Sequence, residues 1–129
     1  KDLFNNTLSI DTEIYLLHKL SELDEIDYVK KRALNIYKYK WNELNFELEK
    51  YVGDILSDYL EYPDFIVFCN SVFDTRHSVG LLYSMVRVYD EIGEREKAIN
   101  ILEEWLTKDP NNEDLIQLHD YMVQLNYLQ

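Results

Sequence analysis

The chain has 129 residues, of which 47% are hydrophobic, and its formal charge at pH 7 is −12. This length fits a single domain, 1–129, with enough apolar material for a core. Only three glycines and two prolines occur, so few positions suit tight turns and the composition favours helices over an all-β fold. The negative charge opposes binding to nucleic acid and is compatible with a basic protein partner.

The apolar segments are short. None approaches the roughly 20 residues of a membrane-spanning helix, and the longest uninterrupted run is 65–69. Cys69, the single cysteine, ends that run, which predicts a buried and inert thiol. A reducing, cytoplasmic location is therefore expected. The chain begins with Lys1 rather than methionine, as expected of an excised fragment or a processed chain.

The N-terminal part, 10–75, is predicted to form irregular helices after a loose lead-in at 1–9. Ser9 or Asp11 is suited to cap a first helix. Apolar residues then recur at helical spacing, namely Ile14, Leu17, Leu20 and Leu23. The acidic stretch 22–27 is interpreted as the turn that follows.

The longest periodic segment predicts one helix over about 28–60, which would extend about 50 Å at about 1.5 Å per residue. Its apolar stripe is formed by Leu34, Tyr37, Trp41, Leu44, Leu48, Tyr51 and Ile55. A break near 41–43, giving two ordinary helices, is the alternative. The stripe is interpreted as a surface that faces the core, with a dimer seam as the second possibility.

A further helix is expected after Pro63, because proline is well tolerated in the first turn of a helix. Apolar residues follow on all sides of this segment: Phe65, Ile66, Val67, Phe68, Cys69, Val72 and Phe73. A short strand would also suit such residues. However, a lone strand would lack partners in so helical a chain, so a helix buried on most sides is predicted.

The segment 79–112 predicts a helical hairpin. The apolar face of its first helix consists of Leu82, Met85, Val86 and Tyr89, and that of its second helix of Ala98, Ile99, Leu102, Trp105 and Leu106. Gly93 is suited to the left-handed end of the first helix. Asn112 is suited to cap a final helix over 113–128, whose apolar face is formed by Leu115, Leu118, Met122 and Leu125.

The hairpin resembles the tetratricopeptide repeat, a 34-residue helix–turn–helix unit. The matching residues between 79 and 112 are Leu82, Met85, Tyr89, Gly93, Ala98, Leu102 and Pro110. Val86 and Trp105 stand where the family has small residues, which is expected of a terminal or divergent repeat. The resemblance implies an all-α fold of antiparallel hairpins stacked into a superhelix. The helical periodicity from Ile14 to Leu125 predicts five to seven helices and no sheet.

The same resemblance implies a scaffold or adaptor that binds a peptide or helix of a partner protein along its first helices. The positions expected to line that groove are Tyr83, Arg87 and Asp90 in the hairpin, and Gln117 and Tyr121 in the final helix. The alternative is that Tyr83 packs against an upstream helix while Arg87 pairs with Asp90 or Glu91. The family members that clamp a terminal carboxylate use a lysine and an asparagine where this chain has Tyr83 and Arg87.

No pattern for catalysis, a cofactor or a metal is present, so the chain is not expected to be an enzyme. The three histidines lack cysteine or carboxylate partners at metal-site spacing, and no phosphate loop or nucleophile elbow occurs. The basic cluster of Lys30, Lys31, Arg32, Lys38 and Lys40 is interpreted as a solvated helix face. Two other functions remain open: a ligand-sensing or regulatory domain, and a structural subunit buried permanently in an assembly.

Replacing Ala98 by leucine tests the alignment of the repeat. The family uses a small residue at this position because two helices approach closely there, so Ala98→Leu is expected to overpack the contact and to cost about 1–3 kcal/mol. The measurement is the free energy of unfolding in urea. If Ala98→Leu is as stable as the wild type, the alignment is wrong.

Overall fold

The computed structural model describes residues 8–128, which form seven α-helices and contain no strand. The helices are α1 (Ile10–Glu22), α2 (Ile26–Tyr39), α3 (Phe46–Tyr59), α4 (Tyr62–Phe73), α5 (Val79–Glu91), α6 (Arg95–Lys108) and α7 (Glu113–Tyr127). The all-α fold with five to seven helices is thus confirmed. Most of the predicted lead-in at 1–9 lies outside the described residues. Within 8–128, no helix has the length and apolar character needed to cross a bilayer.

Short polar side chains define where four of the helices begin. Their oxygens accept a hydrogen bond from the backbone N–H three residues later, which satisfies a donor that the helix itself leaves unpaired. These capping residues are Ser9, Asn45, Ser78 and Asn112. The predicted caps at Ser9 and Asn112 are confirmed, whereas Asp11 lies inside α1.

Two other local predictions are also confirmed. Pro63 lies in the first turn of α4, where its missing N–H costs no hydrogen bond. Gly93 has a φ of 84° in the turn between α5 and α6, a conformation that is open to glycine and strained for other residues. The helices α5 and α6 occupy the segment predicted to form the hairpin, and α7 occupies the predicted final segment.

The prediction of one long helix over 28–60 is wrong. The helix α2 ends at Tyr39, a single 3₁₀ turn covers Trp41–Glu43, and α3 begins after the Asn45 cap. The break lies where the alternative placed it. Because the chain turns here, the predicted stripe does not form one surface: the side chains of Trp41 and Tyr51 are 53% and 48% exposed.

The basic cluster in α2 is also not a solvated face throughout. Arg32 is buried, and its Nη1 donates to Oε1 of the buried Glu13 in α1 at 2.5 Å. Lys40 is buried too, and its Nζ donates to the carbonyl oxygen of Leu8. Each buried cation thus has a polar partner, as removal from water requires. The expected apolar position Leu23 lies beyond the end of α1 and is exposed.

The helix α4 is buried on one side rather than on most sides. Phe65, Phe68, Cys69 and Val72 face the core, while Val67 is 68% exposed. The prediction of a helix instead of a strand is confirmed. Burial raises the pKa of the Cys69 thiol well above its ordinary value, which disfavours the reactive thiolate.

The helices form two layers. The odd-numbered helices make one layer, since α3 contacts α1 and α5, and α5 contacts α7. The even-numbered helices make the other: α2 contacts α4, and the rings of Phe73 in α4 and Trp105 in α6 lie 4.8 Å apart. Successive polar contacts, Ser84 with Lys50 and Arg87 with Ser57, show that α3 and α5 run in the same direction.

The contact between α3 and α5 is the most extensive in the protein, and small residues make it possible. An alanine Cβ at Gly53 would lie 2.5 Å from Ser84 Oγ. At Gly80 it would lie 2.5 Å from the carbonyl oxygen of Phe46 and 2.8 Å from the backbone nitrogen of Lys50. The absence of a Cβ at these two positions therefore lets the two backbones approach each other.

Glu49 connects the beginnings of the same two helices. Its Oε1 accepts a hydrogen bond from the Gly80 N–H at 3.1 Å, and its backbone carbonyl accepts one from the Tyr37 hydroxyl at 2.7 Å. Burial raises the pKa of the Glu49 carboxyl, and hydrogen bonds from Gly80 and Ser78 offset this only in part. The charged carboxylate is thus less favourable here than in the unfolded chain.

A double-mutant cycle tests the close approach. Gly53→Ala is expected to lower the free energy of unfolding by about 1–3 kcal/mol, because the new methyl group meets Ser84. In a Ser84→Gly background the obstructing side chain is gone, so the same substitution should cost less. Urea unfolding of the four proteins gives the coupling. An equal cost of Gly53→Ala in both backgrounds would show that Ser84 does not limit the approach.

Replacing Glu49 by glutamine tests its effect on stability. Because the folded-state pKa is raised above its ordinary value of 4.5, the folded protein binds this proton more tightly than the unfolded chain does. Stability should therefore fall as pH rises from that value through the folded pKa. Glu49→Gln keeps an acceptor for Gly80 and should reduce this fall, as measured by unfolding across a pH series.

Glu47→Gln is the matched control, because Glu47 is exposed in the same first turn of α3. It removes the same charge at the same end of the helix. If both variants change the pH profile equally, burial of Glu49 is not the cause.

Candidate partner-binding face

The predicted groove residues lie on the odd-numbered layer. We use the term odd-helix face for the side of α3, α5 and α7 that carries Asp54, Tyr83, Arg87, Gln117 and Tyr121. Tyr83 and Arg87 share one side of α5 because they are four residues apart. Their contacts reach both neighbouring helices of the layer, α3 and α7.

Tyr83 joins three helices. Its ring meets that of Phe46 in α3 edge to face, with centroids 4.8 Å apart, and its hydroxyl donates to the carbonyl oxygen of Asp114 in α7 at 2.9 Å. Burial, and then the nearby charges of Asp114 and Glu47, raise the pKa of the phenol. Tyr83 thus packs against an upstream helix, as the alternative interpretation held.

Arg87 is engaged on the surface of α5 rather than open to a ligand. Its Nη1 donates to Glu91 at 2.8 Å, and its Nη2 donates to Asp54 at 3.1 Å and to Ser57 at 2.5 Å. Burial opposes the charged form, but the bonds to Glu91 and Asp54 outweigh it and raise the pKa of Arg87. Pairing with Glu91 was foreseen in the alternative, whereas pairing with Asp54 was not.

Asp90 serves the hairpin itself. Its Oδ1 accepts a hydrogen bond from Arg95 Nε at 2.6 Å, so it connects the end of α5 to the start of α6. Both side chains are largely shielded from solvent. This contact holds the short turn around Gly93 in place.

The two predicted positions in α7 are open to solvent. Gln117 and Tyr121 follow Asp114 at helical spacing, and the Tyr121 side chain is 58% exposed. Neither donates nor accepts a side-chain hydrogen bond within residues 8–128. Of the five predicted residues, these two are available to a partner without breaking an existing contact.

The face is acidic. Carboxylates outnumber cations among the residues on or beside it: Glu47, Asp54, Asp90, Glu91 and Asp114 against Lys50, Arg87 and Arg95. Since Arg87 is paired with two of the carboxylates, its charge is compensated locally. The remaining field is negative and attracts basic groups.

Two residues important for this face were missed in the sequence. Phe46 and Asp54 belong to α3 but make contacts with α5, 30 or more positions away in the sequence. The small residues Gly53, Gly80 and Ser84 were the available signal, because such residues often mark a close helix contact. Their pairing depends on the register between the two helices, which no local pattern reveals.

The histidines and the other potential metal ligands do not form a metal site within residues 8–128. His18, His77 and His119 each lie within 3.4 Å of a single carboxylate oxygen. Nowhere from residue 8 to residue 128 do three or more histidine, cysteine or acidic side chains gather around one point.

Comparison with known proteins identifies no relative of this chain. No protein-family model, no curated protein and no solved structure matches it.

Proposed function

We propose that the chain is a protein-interaction module, not an enzyme, which binds a basic helix or peptide of a partner protein across the odd-helix face. The observation that carries the proposal is the combination of an exposed aromatic residue, Tyr121, with the excess of carboxylates on the odd-helix face. An aromatic anchor supplies most of the energy in many interfaces, and complementary charge guides the partner to it.

The proposal includes an adaptor or scaffold role in the manner of tetratricopeptide repeats. The two layers support it, because that family stacks antiparallel hairpins so that the first helices of successive units lie side by side. Here α3, α5 and α7 lie side by side in that way. A reducing, cytoplasmic location is part of the same proposal and rests on the single, buried Cys69.

The negative charge of the odd-helix face favours a basic partner. Arg87 already pairs with Asp54 and Glu91, so capture of a partner's carboxylate would require breaking both contacts. A lysine or arginine of the partner would instead find unneutralised carboxylates on both sides of Tyr83, at Glu47 and Asp114. A basic segment therefore fits this face better than an acidic one.

Tyr121→Ala should reduce capture of the partner from the native source by at least about tenfold, the loss expected for an interface anchor worth about 1.4 kcal/mol or more. Added salt should weaken capture by the wild type as well, because the attraction between charges is screened. The measurement is quantitative pull-down with the bait at equal folded concentration. Tyr121 is largely exposed and forms no side-chain hydrogen bond within residues 8–128, so the melting temperature should change little.

Tyr39→Ala is the matched control. Tyr39 ends α2 in the other layer and is 61% exposed, against 58% for Tyr121. The proposal requires that the control captures the partner like the wild type. Equal capture by both variants would place the partner elsewhere.

A further inference from the structure

The connection between α4 and α5, residues 74–78, separates two clefts. The larger has a volume of about 380 Å³ and lies between this connection and α6, where Phe73, Arg76, His77, Trp105 and Lys108 line it. The smaller, about 250 Å³, lies between the connection and the 3₁₀ turn that contains Trp41. Both tryptophans of the chain therefore flank one short segment. None of the five residues that define the odd-helix face takes part.

Arg76 lines both clefts and differs from the other three arginines. Arg32, Arg87 and Arg95 each pair with a carboxylate, whereas Arg76 has no carboxylate within ion-pair distance in the part of the chain that the structure describes. Its guanidinium lies 4.8 Å from the ring centre of Trp41. In a chain with a net charge of −12, an arginine without a counter-charge is unexpected.

The hydrogen bonds of Arg76 leave donors unused. Nη1 donates to the carbonyl oxygen of Thr75 at 3.1 Å, and Nη2 donates to that of Lys38 at 3.3 Å. Nε is buried and has no partner among residues 8–128. A guanidinium has five N–H groups, so each Nη keeps one for a ligand oxygen. These bonds and the Trp41 ring also hold the guanidinium in one place.

One wall of the larger cleft is aromatic. Trp105 meets Phe73 edge to face at 4.8 Å and stacks on His77 at 4.6 Å with an interplanar angle of 24°. The Nε2 atom of His77 lies 3.0 Å from Oδ2 of Asp109, a contact that helps to hold the ring. A preorganised aromatic wall beside a fixed cation suits a ligand that has a planar apolar body and an anionic group.

The charged residues that line the larger cleft limit how much negative charge the ligand can carry. Asp74 and Glu104 line the cleft together with Arg76 and Lys108, so its formal charges balance before a ligand binds. A polyphosphate or nucleic acid would meet these carboxylates and the negative field of the whole chain. A single carboxylate matches the planar guanidinium and adds the least repulsion.

We propose that the larger cleft binds a small aromatic carboxylate, with its carboxylate on Arg76 and its ring against Trp105. The site is formed by the connection at 74–78 and α6, so it is independent of partner binding on the odd-helix face. Failure of either proposal leaves the other intact.

Phenylacetate, phenylacetamide and phenyl phosphate are the probes, and tryptophan emission is the readout. In a Trp41→Phe variant, which keeps an aromatic ring beside Arg76, Trp105 is the single tryptophan and reports on the larger cleft alone. Phenylacetate should change its emission saturably. Phenylacetamide, which lacks the charge, and phenyl phosphate, which carries more of it, should each bind at least about tenfold more weakly, a difference of about 1.4 kcal/mol. Equal binding of phenylacetate and phenylacetamide would overturn the proposal.

Arg76→Gln in the same background should weaken phenylacetate binding at least about tenfold. Lys97→Gln is the matched control, because it removes one positive charge from an exposed position of α6 outside the cleft, and it should bind like its parent. Unchanged affinity of Arg76→Gln would refute the role of Arg76. If that variant does not fold, the comparison of the three probes on the parent protein decides the matter.

Discussion

The close approach of α3 and α5 is the constraint on which the rest of the structure depends. Gly53 and Gly80 each lack a Cβ where the opposing helix would meet one, and Ser84 is small enough to lie against Gly53. Because the backbones come so near, polar groups that would otherwise face water find partners across the contact. Glu49 reaches the first turn of α5, and Ser84 reaches α3. Close packing and hydrogen bonds between side chains and backbone thus stabilise the same contact between α3 and α5.

This contact also sets the geometry of the odd-helix face. The register that seats Gly80 against α3 brings Tyr83 onto Phe46 and Arg87 onto Asp54, because these residues follow at helical spacing. Tyr83 and Arg87 therefore connect α5 to its neighbouring helices in the layer. Tyr121, one helix further along the layer, is left exposed beside them.

The parts of the fold that depend on local chemistry could be predicted from the sequence. Gly93 and Asn112 act on the backbone within a few residues of their own positions. The end of α5 and the start of α7 therefore follow from residue type. The break at Trp41–Glu43 was harder, because the apolar spacing continues across it and only the Asn45 cap marks the new helix. Arg32 could not be placed correctly, since its burial depends on Glu13 in another helix. The same limit applied to Asp54 and Arg76, whose environments are formed by distant segments.

The layered arrangement has a consequence for the way in which the chain unfolds. Each extensive contact joins a helix to the next one or to the next but one. Among residues 8–128 no extensive contact ties α1 to α7, so the helices can open from either end while α3 and α5 remain paired. Amide hydrogens in α7 would then exchange with solvent faster than those in the centre. The odd-helix face includes α7 at that less protected end, so a partner bound there would slow the exchange by holding α7 against α5.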